Sequence, residues 1–272
     1  MSAKKTQVLL ISGALLISVL LFIAPKIAPK HIDDNGHNHS TSMVSADNNA
    51  SLEVYANMAA KNLEPSQKAL LEKFTVAKMH DSVAFFWNRL KRPDLASIAI
   101  EQKAMVSNKA EDWFKAGNRY YYAVQFTQDK SEIPVLYQSA MRCFSKGLKL
   151  EPGNTDARIM LASCFVEGSS NPMEGITMLR EIEKTDSNNV KLQLSFASFS
   201  VKSGQLDKAI TRFNKVLQID STYIEAYLHL AEAYQQLGQT EQTIKMLEQY
   251  SAKTTDITEK AEVNKYIQQL KK

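Results

Sequence analysis

Residues 204–216 read GQLDKAITRFNKV, and residues 238–250 read GQTEQTIKMLEQY. Both stretches contain, in the same order, a glycine, a residue of small to medium size and a large apolar residue. Each member of the pattern returns after 34 residues: Gly204 and Gly238, Ala209 and Thr243, Phe213 and Leu247. A fixed period of this length indicates that one supersecondary unit is copied along the chain.

The pattern also extends towards the N-terminus. In a first copy, small and aromatic residues alternate at helical spacing, and an insertion of about eleven residues, 125–135, separates its two halves. The second copy is degenerate, because Arg158 and Ser187 stand where tryptophan and proline are expected. The residues that carry these two copies are Trp113, Ala116, Gly117, Tyr120, Ala140, Phe144, Gly147 and Pro152, then Leu161, Ala162, Phe165, Gly175, Leu179 and Ile182.

This arrangement resembles the tetratricopeptide repeat (TPR), a 34-residue helical hairpin. The resemblance implies an all-α protein in which stacked hairpins form an α-solenoid over residues 107–250, because one hairpin cannot bury its apolar face alone. A C-terminal capping helix is predicted in 251–272, with its apolar residues at Ile257, Ala261, Val263, Tyr266, Ile267 and Leu270. The helical region 51–106 is either a further, diverged repeat or an N-terminal cap.

Stacked repeats curve, and their first helices line the concave side. We therefore expect a peptide-binding groove made by the residues that follow the tryptophan and small-residue positions of each copy. These residues are Phe114, Asn118, Ile159, Ser163, Leu194, Ser198, Leu228 and Glu232, with Tyr121, Tyr122, Val166, Val201 and Gln235 one turn further on. An apolar floor with short polar groups suits an extended peptide or an amphipathic helix. The alternative is that the upstream helices fold back and fill the groove.

Some TPR proteins bind chaperone C-termini through a carboxylate clamp of lysine, arginine and asparagine. Only Asn118 and Lys191 match that arrangement here, whereas Phe114, Met160 and Ser195 stand where the clamp needs charged or amide side chains. The sequence therefore argues against a carboxylate clamp.

The N-terminus predicts a membrane anchor and a tether. Residues 7–24 include seventeen uncharged residues, Val8 to Ala24, which as a helix would span about 26 Å. An uncleaved anchor is favoured over a signal peptide, because Ala24 and Ala28 are each followed by proline. The α-amine and the two lysines in 1–6 favour a cytoplasmic N-terminus, which would place the repeats in the periplasm. Residues 25–50 are polar and predict a flexible tether.

No cofactor, metal site or catalytic motif is predicted. His31, His37 and His39 lie in the tether and could hold a metal only loosely. Cys143 and Cys164 are interpreted as buried apolar residues, with a single bridge as the alternative. A formal net charge of +4 without a basic cluster argues against nucleic-acid binding.

The resemblance to bacterial single-pass TPR proteins implies a non-enzymatic scaffold at the inner membrane. We expect its groove to bind a segment of a partner protein in envelope assembly, secretion or chaperoning. A narrower hypothesis is an assembly factor for cytochrome c maturation, and a remote one is a metal-handling protein or an enzyme. The oligomeric state and the partner's identity are not predicted.

Overall fold

The computed structural model describes residues 47–127 and 130–272, and within these ranges all regular structure is helical. This confirms the all-α class for that part of the chain. The α-helices are α1 (Asp47–Lys61), α2 (Pro65–Val76), α3 (His80–Arg89), α4 (Pro93–Ser107), α5 (Ala110–Ala123), α6 (Ile133–Leu150), α7 (Thr155–Gly168), α8 (Pro172–Thr185), α9 (Val190–Lys202), α10 (Leu206–Ile219), α11 (Glu225–Gln236), α12 (Thr240–Lys253) and α13 (Ile257–Leu270).

The predicted anchor at 7–24 and most of the predicted tether lie outside the described residues. Helix α1 begins at Asp47, so the last four residues of the stretch 25–50 are helical rather than part of a tether. Among the described helices, none has the length and apolarity needed to cross a bilayer.

Successive helices pack against each other from α3 to α13, and the predicted copies correspond to the hairpins α5–α6, α7–α8, α9–α10 and α11–α12. Small residues are needed where these helices approach closely. A Cβ atom added at Gly117 would lie 3.0 Å from the Phe144 ring, and one at Gly175 would lie 2.3 Å from the carbonyl oxygen of Ala162. At Gly175 any side chain would force the backbone of α7 and α8 apart, whereas at Gly117 the Phe144 ring would have to shift by a few tenths of an ångström.

The turns inside the third and fourth hairpins explain the periodic glycines. Gly204 and Gly238 have φ values of +73° and +72°, a conformation that a residue with a Cβ rarely adopts. Both follow the last turn of a first helix, and the amide after each returns to that helix, as in the 2.8 Å bond from Gln205 N to the Ser200 carbonyl. Each glycine thus ends one helix and lets the next begin.

The upstream region contains another hairpin of the same kind. Helices α3 and α4 pack together, and α4 packs on α5. Ala84 and Trp87 are buried and precede Gly117 and Tyr120 by 33 residues, so α3 presents a small and a large residue in the same order as α5. Of the two alternatives predicted for the region 51–106, the structure favours a diverged repeat, because α3 and α4 add one hairpin to the stack. Helix α2, in contrast, has no buried residue.

Helix α1 is attached to this stack through a polar cluster. The Tyr55 hydroxyl lies 2.8 Å from Asp94 Oδ2 and 2.5 Å from Glu132 Oε1, and it accepts a hydrogen bond from Arg92 Nη2 at 2.5 Å. Glu132 belongs to the insertion between α5 and α6, where a 3-10 helix spans Lys130–Glu132. Burial, with the hydrogen bonds to Glu132 and Asp94, raises the pKa of Tyr55. The insertion is thus held against α1.

The apolar core is divided unevenly along the stack. One large cluster runs from Val83 in α3 to Cys164 in α7, while three smaller clusters follow, each shared by adjacent hairpins. Cys143 and Cys164 are both buried free thiols, so the alternative of a bridge between them is wrong.

At the C-terminal end, α13 packs on α12 and covers the last small cluster. Ile267 is its buried residue, and Val263, Tyr266 and Leu270 pack around it. The predicted apolar face is partly wrong, because Ile257 is 84% exposed and Ala261 is exposed. Both lie in the first half of the helix, before it reaches the core.

Candidate peptide-binding groove

The first helices of the hairpins lie side by side, with α5 next to α7 and α7 next to α9. Eight of the ten principal groove residues predicted from the sequence keep some solvent access, although to different degrees. Phe114, Asn118, Tyr121, Leu194 and Leu228 are partly buried, and Tyr122, Ser198 and Glu232 are exposed.

Ile159 and Ser163 are corrections to the prediction, because both are buried. Ile159 is 0% exposed and packs with Leu179, Ile182 and Leu192, while the Ser163 hydroxyl donates a 3.0 Å hydrogen bond to the Ile159 carbonyl. Helix α7 touches α5, α6, α8 and α9, so it has little free surface. Neither residue can contact a bound peptide.

Phe114 keeps partial solvent access and also packs on the core. Its ring lies over Gly147 of α6, where an added Cβ would come within 2.4 Å of it. On the adjacent face, Trp113 is 4% exposed and Lys146 Nζ lies 4.4 Å from its ring centroid. The aromatic residues at the start of α5 therefore hold α5 against α6.

Phe85 is an exposed aromatic residue that the sequence prediction missed. It is 63% exposed and precedes Asn118 by 33 residues, so it occupies the same place in α3 as Asn118 does in α5. An alignment of Ala84 and Trp87 with Gly117 and Tyr120 in the sequence would have placed Phe85 at the groove position of Asn118. Phe126, 66% exposed, follows Tyr122 at the beginning of the insertion and adds to the apolar surface at the end of α5.

Three tyrosines, one glutamate and one lysine form a connected group, here called the tyrosine–glutamate cluster: Tyr121, Tyr122, Tyr137, Glu167 and Lys202. The Tyr121 ring meets those of Tyr122 and Tyr137 edge-on, with centroids 5.6 Å and 5.9 Å away. The Tyr137 hydroxyl donates to Glu167 Oε2 at 3.1 Å, and Lys202 Nζ pairs with Glu167 Oε1. The cluster thus joins α5, α6, α7 and α9.

Burial explains the electrostatics of this cluster. It raises the pKa of both Tyr121 and Tyr137, and the negative charge of Glu167 raises it further. Tyr121 also has a hydrogen bond with Glu167. Both hydroxyls therefore remain protonated donors that point at one carboxylate. Gly168 makes room for this contact, because a Cβ there would lie 2.2 Å from the Tyr137 side chain.

Two clefts lie elsewhere on the described surface. One, of about 290 Å³, is lined by residues of α3, α4 and α5 that include Asn118. Its charges are largely paired, since Lys103 Nζ lies 2.6 Å from Asp81 Oδ2 and Lys115 Nζ lies 2.6 Å from Glu111 Oε1. The other, of about 630 Å³, lies where the end of α12 and the start of α13 meet the 221–225 turn. Within the described residues, no three His, Cys, Asp or Glu side chains are placed to hold a metal ion.

Comparison with known families agrees with the repeat geometry. The family described as "TPR repeat" matches residues 201–238, and the family described as "Tetratricopeptide repeat" matches residues 225–253. The chain contains tetratricopeptide repeats. The matched residues run from the end of α9 to the end of α12, so they cover the second helix of the third hairpin and the whole fourth hairpin. Gly204 and Gly238 in this stretch keep the 34-residue spacing without insertion. No curated protein matches the chain.

Solved TPR structures share the fold at low sequence identity. A TPR protein from Parabacteroides merdae superposes with a TM-score of 0.52 at 14% identity, covering 83% of this chain and 88% of its own. A thermophilic TPR protein from Thermus thermophilus gives a TM-score of 0.50 at 14% identity, covering 68% of this chain and 96% of its own. At such identity these similarities show the TPR fold alone.

Proposed function

We propose that this protein is a membrane-anchored TPR scaffold, without enzymatic activity, whose first helices bind a peptide segment or an amphipathic helix of a partner protein. The observation that carries the proposal is the exposed aromatic surface on the N-terminal first helices. Phe85 and Tyr122 are 63% and 52% exposed, and Phe126 extends this surface. Tyr122 lies one helical turn after Asn118, the position equivalent to Phe85, so Phe85 and Tyr122 belong to corresponding faces of α3 and α5. Exposed large apolar groups on corresponding faces of adjacent repeats are a feature of interaction sites.

The polar residues beside these aromatics support a peptide ligand. Asn118, Ser198 and Glu232 occupy equivalent positions on α5, α9 and α11 and retain solvent access. Amide, hydroxyl and carboxylate groups at regular intervals can pair with the backbone of an extended peptide, while aromatic side chains receive its apolar residues. This combination favours binding over catalysis.

Site-specific photo-crosslinking in cells tests this proposal. A photoreactive amino acid would be placed at Phe85 and at Tyr122, and at two control positions of similar or greater exposure, Met173 (57%) and Ile257 (84%). We expect both groove positions to capture the same protein and neither control to capture it. Capture of that protein equally from all four positions, or from none, would contradict a binding groove.

The placement of the scaffold is also proposed. The apolar stretch Val8–Ala24 and the positive charges before it support a single-pass anchor in the inner membrane, with the TPR array in the periplasm. Protease added to intact spheroplasts should then digest the array. An array that is protected until the membrane is dissolved would contradict this orientation.

The narrower role in cytochrome c maturation is testable on the same surface. It requires binding of a fluorescent peptide that contains Cys-x-x-Cys-His, measured by anisotropy, and loss of that binding when Tyr122 becomes glutamate. A peptide with the two cysteines changed to serine is the control. No binding at micromolar protein would remove this role while leaving the broader scaffold function intact.

A further inference from the structure

Glu167 is an unusual carboxylate for an interaction surface, because its side chain is only 10% exposed. It directly follows Val166, which lies at a predicted groove position of α7. Tyr137 donates a hydrogen bond to one carboxylate oxygen, and Lys202 pairs with the other. A charged carboxylate with this little access to water is stabilised by a nearby cation, because tyrosine hydrogen bonds alone do not neutralise its charge.

The cation that meets this need is held loosely. Lys202 lies at the last residue of α9 and its side chain is 61% exposed, so only its terminal ammonium is fixed by Glu167. Fixing a long lysine side chain in this way costs conformational entropy. A cation supplied by a bound partner would satisfy Glu167 and release Lys202.

A similar pair on the same helices shows how different Glu167 is. Lys191 of α9 pairs with Asp156 of α7 across the same 35-residue interval, and their side chains are 44% and 62% exposed. Water can solvate Asp156 when Lys191 leaves, and exposed pairs of this kind contribute little to stability. Glu167 has little access to water, and the hydrogen bond from Tyr137 adds no positive charge, so a cation from a partner has a larger effect there.

An exposed aromatic ring beside Tyr121 offers a second group that can bind a cation near Glu167. Tyr122 is 52% exposed and its ring contacts Tyr121 edge-on, so it offers a surface to the methylene groups and the charge of an incoming side chain. A cation placed against an aromatic ring and paired with a carboxylate is bound by both groups. Arginine adds a planar pair of donors that fits a carboxylate.

We propose that Glu167, flanked by Tyr121 and Tyr137 with Tyr122 beside Tyr121, binds a lysine or arginine side chain of the peptide segment that the TPR groove recognises, and that Lys202 occupies this site in the free protein. The inference rests on the proposed peptide-binding function and specifies the charge of its ligand. A carboxylate-terminated acidic peptide, the kind a clamp would select, is not the ligand of this site.

The test begins with selection of random twelve-residue peptides displayed on phage, using the purified full-length chain in detergent. We expect the selected peptides to share one lysine or arginine at a fixed distance from an aromatic or aliphatic residue. One such peptide is then synthesised in two forms, with the cation and with norleucine in its place. Both are titrated by fluorescence anisotropy.

Three variants separate the contributions. Lys202→Gln removes the competitor and should tighten the cationic peptide about three- to tenfold. Glu167→Gln should weaken it at least tenfold and make the two peptide forms bind alike. Lys191→Gln, which breaks the neighbouring pair, should leave both affinities within twofold. Circular dichroism and a thermal melt show whether Glu167→Gln folds. If it does not fold, the affinities of the cationic and norleucine peptides for the wild type and for Lys202→Gln still test whether the site binds a cation.

The outcomes distinguish a failure of the Glu167 site from a failure of the proposed peptide-binding function. Selected peptides without an enriched cation, or a Lys202→Gln variant that binds more weakly, would overturn the role of Glu167 while the peptide-binding scaffold stands. Selection of no peptide at all would overturn both.

Discussion

The two ends of the TPR stack hold together in different ways. From α3 to α7 a single large core, from Val83 to Cys164, contains a buried ion pair, whereas from α7 to α13 the core is split into three small clusters. Glu101 and Arg142 have side chains 3% and 12% exposed, but Glu183 and Arg212 are 27% and 28% exposed. The family match falls in the second region, so the part that is easiest to recognise in the sequence holds the smaller cores.

This difference indicates how the free energy of unfolding is distributed along the stack. Regular repeats contribute through interfaces with their nearest neighbours, so a change in one affects mainly the hairpins beside it. The N-terminal region departs from that rule, because its hairpins, the insertion and α1 share one core and one polar cluster. We expect it to unfold as a unit and the C-terminal hairpins to open locally.

The largest expected effect comes from emptying equivalent core positions in the two regions. Phe144 is 0% exposed in the large cluster, and Leu247 is 5% exposed in the last small one. Phe144→Ala should lower the free energy of unfolding by about 4 kcal/mol, and Leu247→Ala by about 2 kcal/mol. Urea unfolding followed by circular dichroism measures both.

Hydrogen exchange sharpens the same comparison. Leu247→Ala should speed exchange in α11 to α13 only, while Phe144→Ala should speed it throughout α3 to α7. Met173→Ala, at a 57% exposed position of α8, is the control for a neutral apolar truncation. Equal losses of stability and equal spread of exchange would show that the stack is uniform, contrary to the division of its core.

Breaking the two ion pairs should have the next largest effect. Arg142 Nη2 lies 2.8 Å from Glu101 Oε2, and Arg142 Nη1 is buried without a hydrogen-bond partner. Glu101→Gln would leave the guanidinium charge uncompensated and should cost about 3 kcal/mol. Glu183→Gln, in a pair that water reaches, should cost about 1 kcal/mol or less.

The measurement is again urea unfolding at neutral pH, with Lys191→Gln as a control that breaks a more exposed pair. If Glu101→Gln and Glu183→Gln cost the same, the buried pair has no special weight in the N-terminal region.

High pH should produce a smaller effect through Tyr120. Burial raises its pKa well above 10.0, and the charge of Glu101, which accepts its hydrogen bond at 2.7 Å, raises it further. The folded protein therefore keeps this proton while the unfolded chain loses it near pH 10. Its contribution to stability is complete below pH 10 and is lost as pH rises above that value, by roughly 1 kcal/mol at pH 10.5.

Urea unfolding between pH 8 and 10.5 measures this loss for the wild type and for Tyr120→Phe. The variant should lose less stability over that range, and Tyr122→Phe, at an exposed position, should follow the wild type. Parallel pH profiles for all three proteins would mean that Tyr120 ionises in the folded state as it does in the unfolded chain.

The helical hairpins were predictable because their signals are local. Glycine at a positive φ, a small residue at a close approach and a large residue three or four positions away each depend on neighbouring residues alone. Gly117 and Phe213 were therefore assigned correct roles from spacing, whereas Gly204 was recognised as a repeating position and its turn role came from the structure. Ile257 was misjudged because periodicity shows that a face is apolar, but not where the neighbouring helix begins.

The candidate site was less predictable because it depends on contacts between distant residues. Equivalent positions do not have equal exposure: Ser163 is buried by the helices around α7, while Ser198, 35 residues later, is exposed. The pairing of Glu167 with Lys202 was visible only as two opposite charges 35 residues apart. The docking of Tyr55 on Glu132 could not be inferred, because no repeat relates α1 to the insertion.

Gly204 and Gly238 have a consequence for how the chain can change in length. The backbone leaves both glycines in the same conformation, and each stands between a first and a second helix of its hairpin. Duplication of residues 205–238 would therefore join sequence ends that already match, and would lengthen the array without inventing a loop. Deletion of the same segment would shorten it in the same way. The C-terminal half of the array can therefore gain or lose repeats in whole units of 34 residues. The N-terminal half has no such pair of matching positions, because its insertion contacts α1.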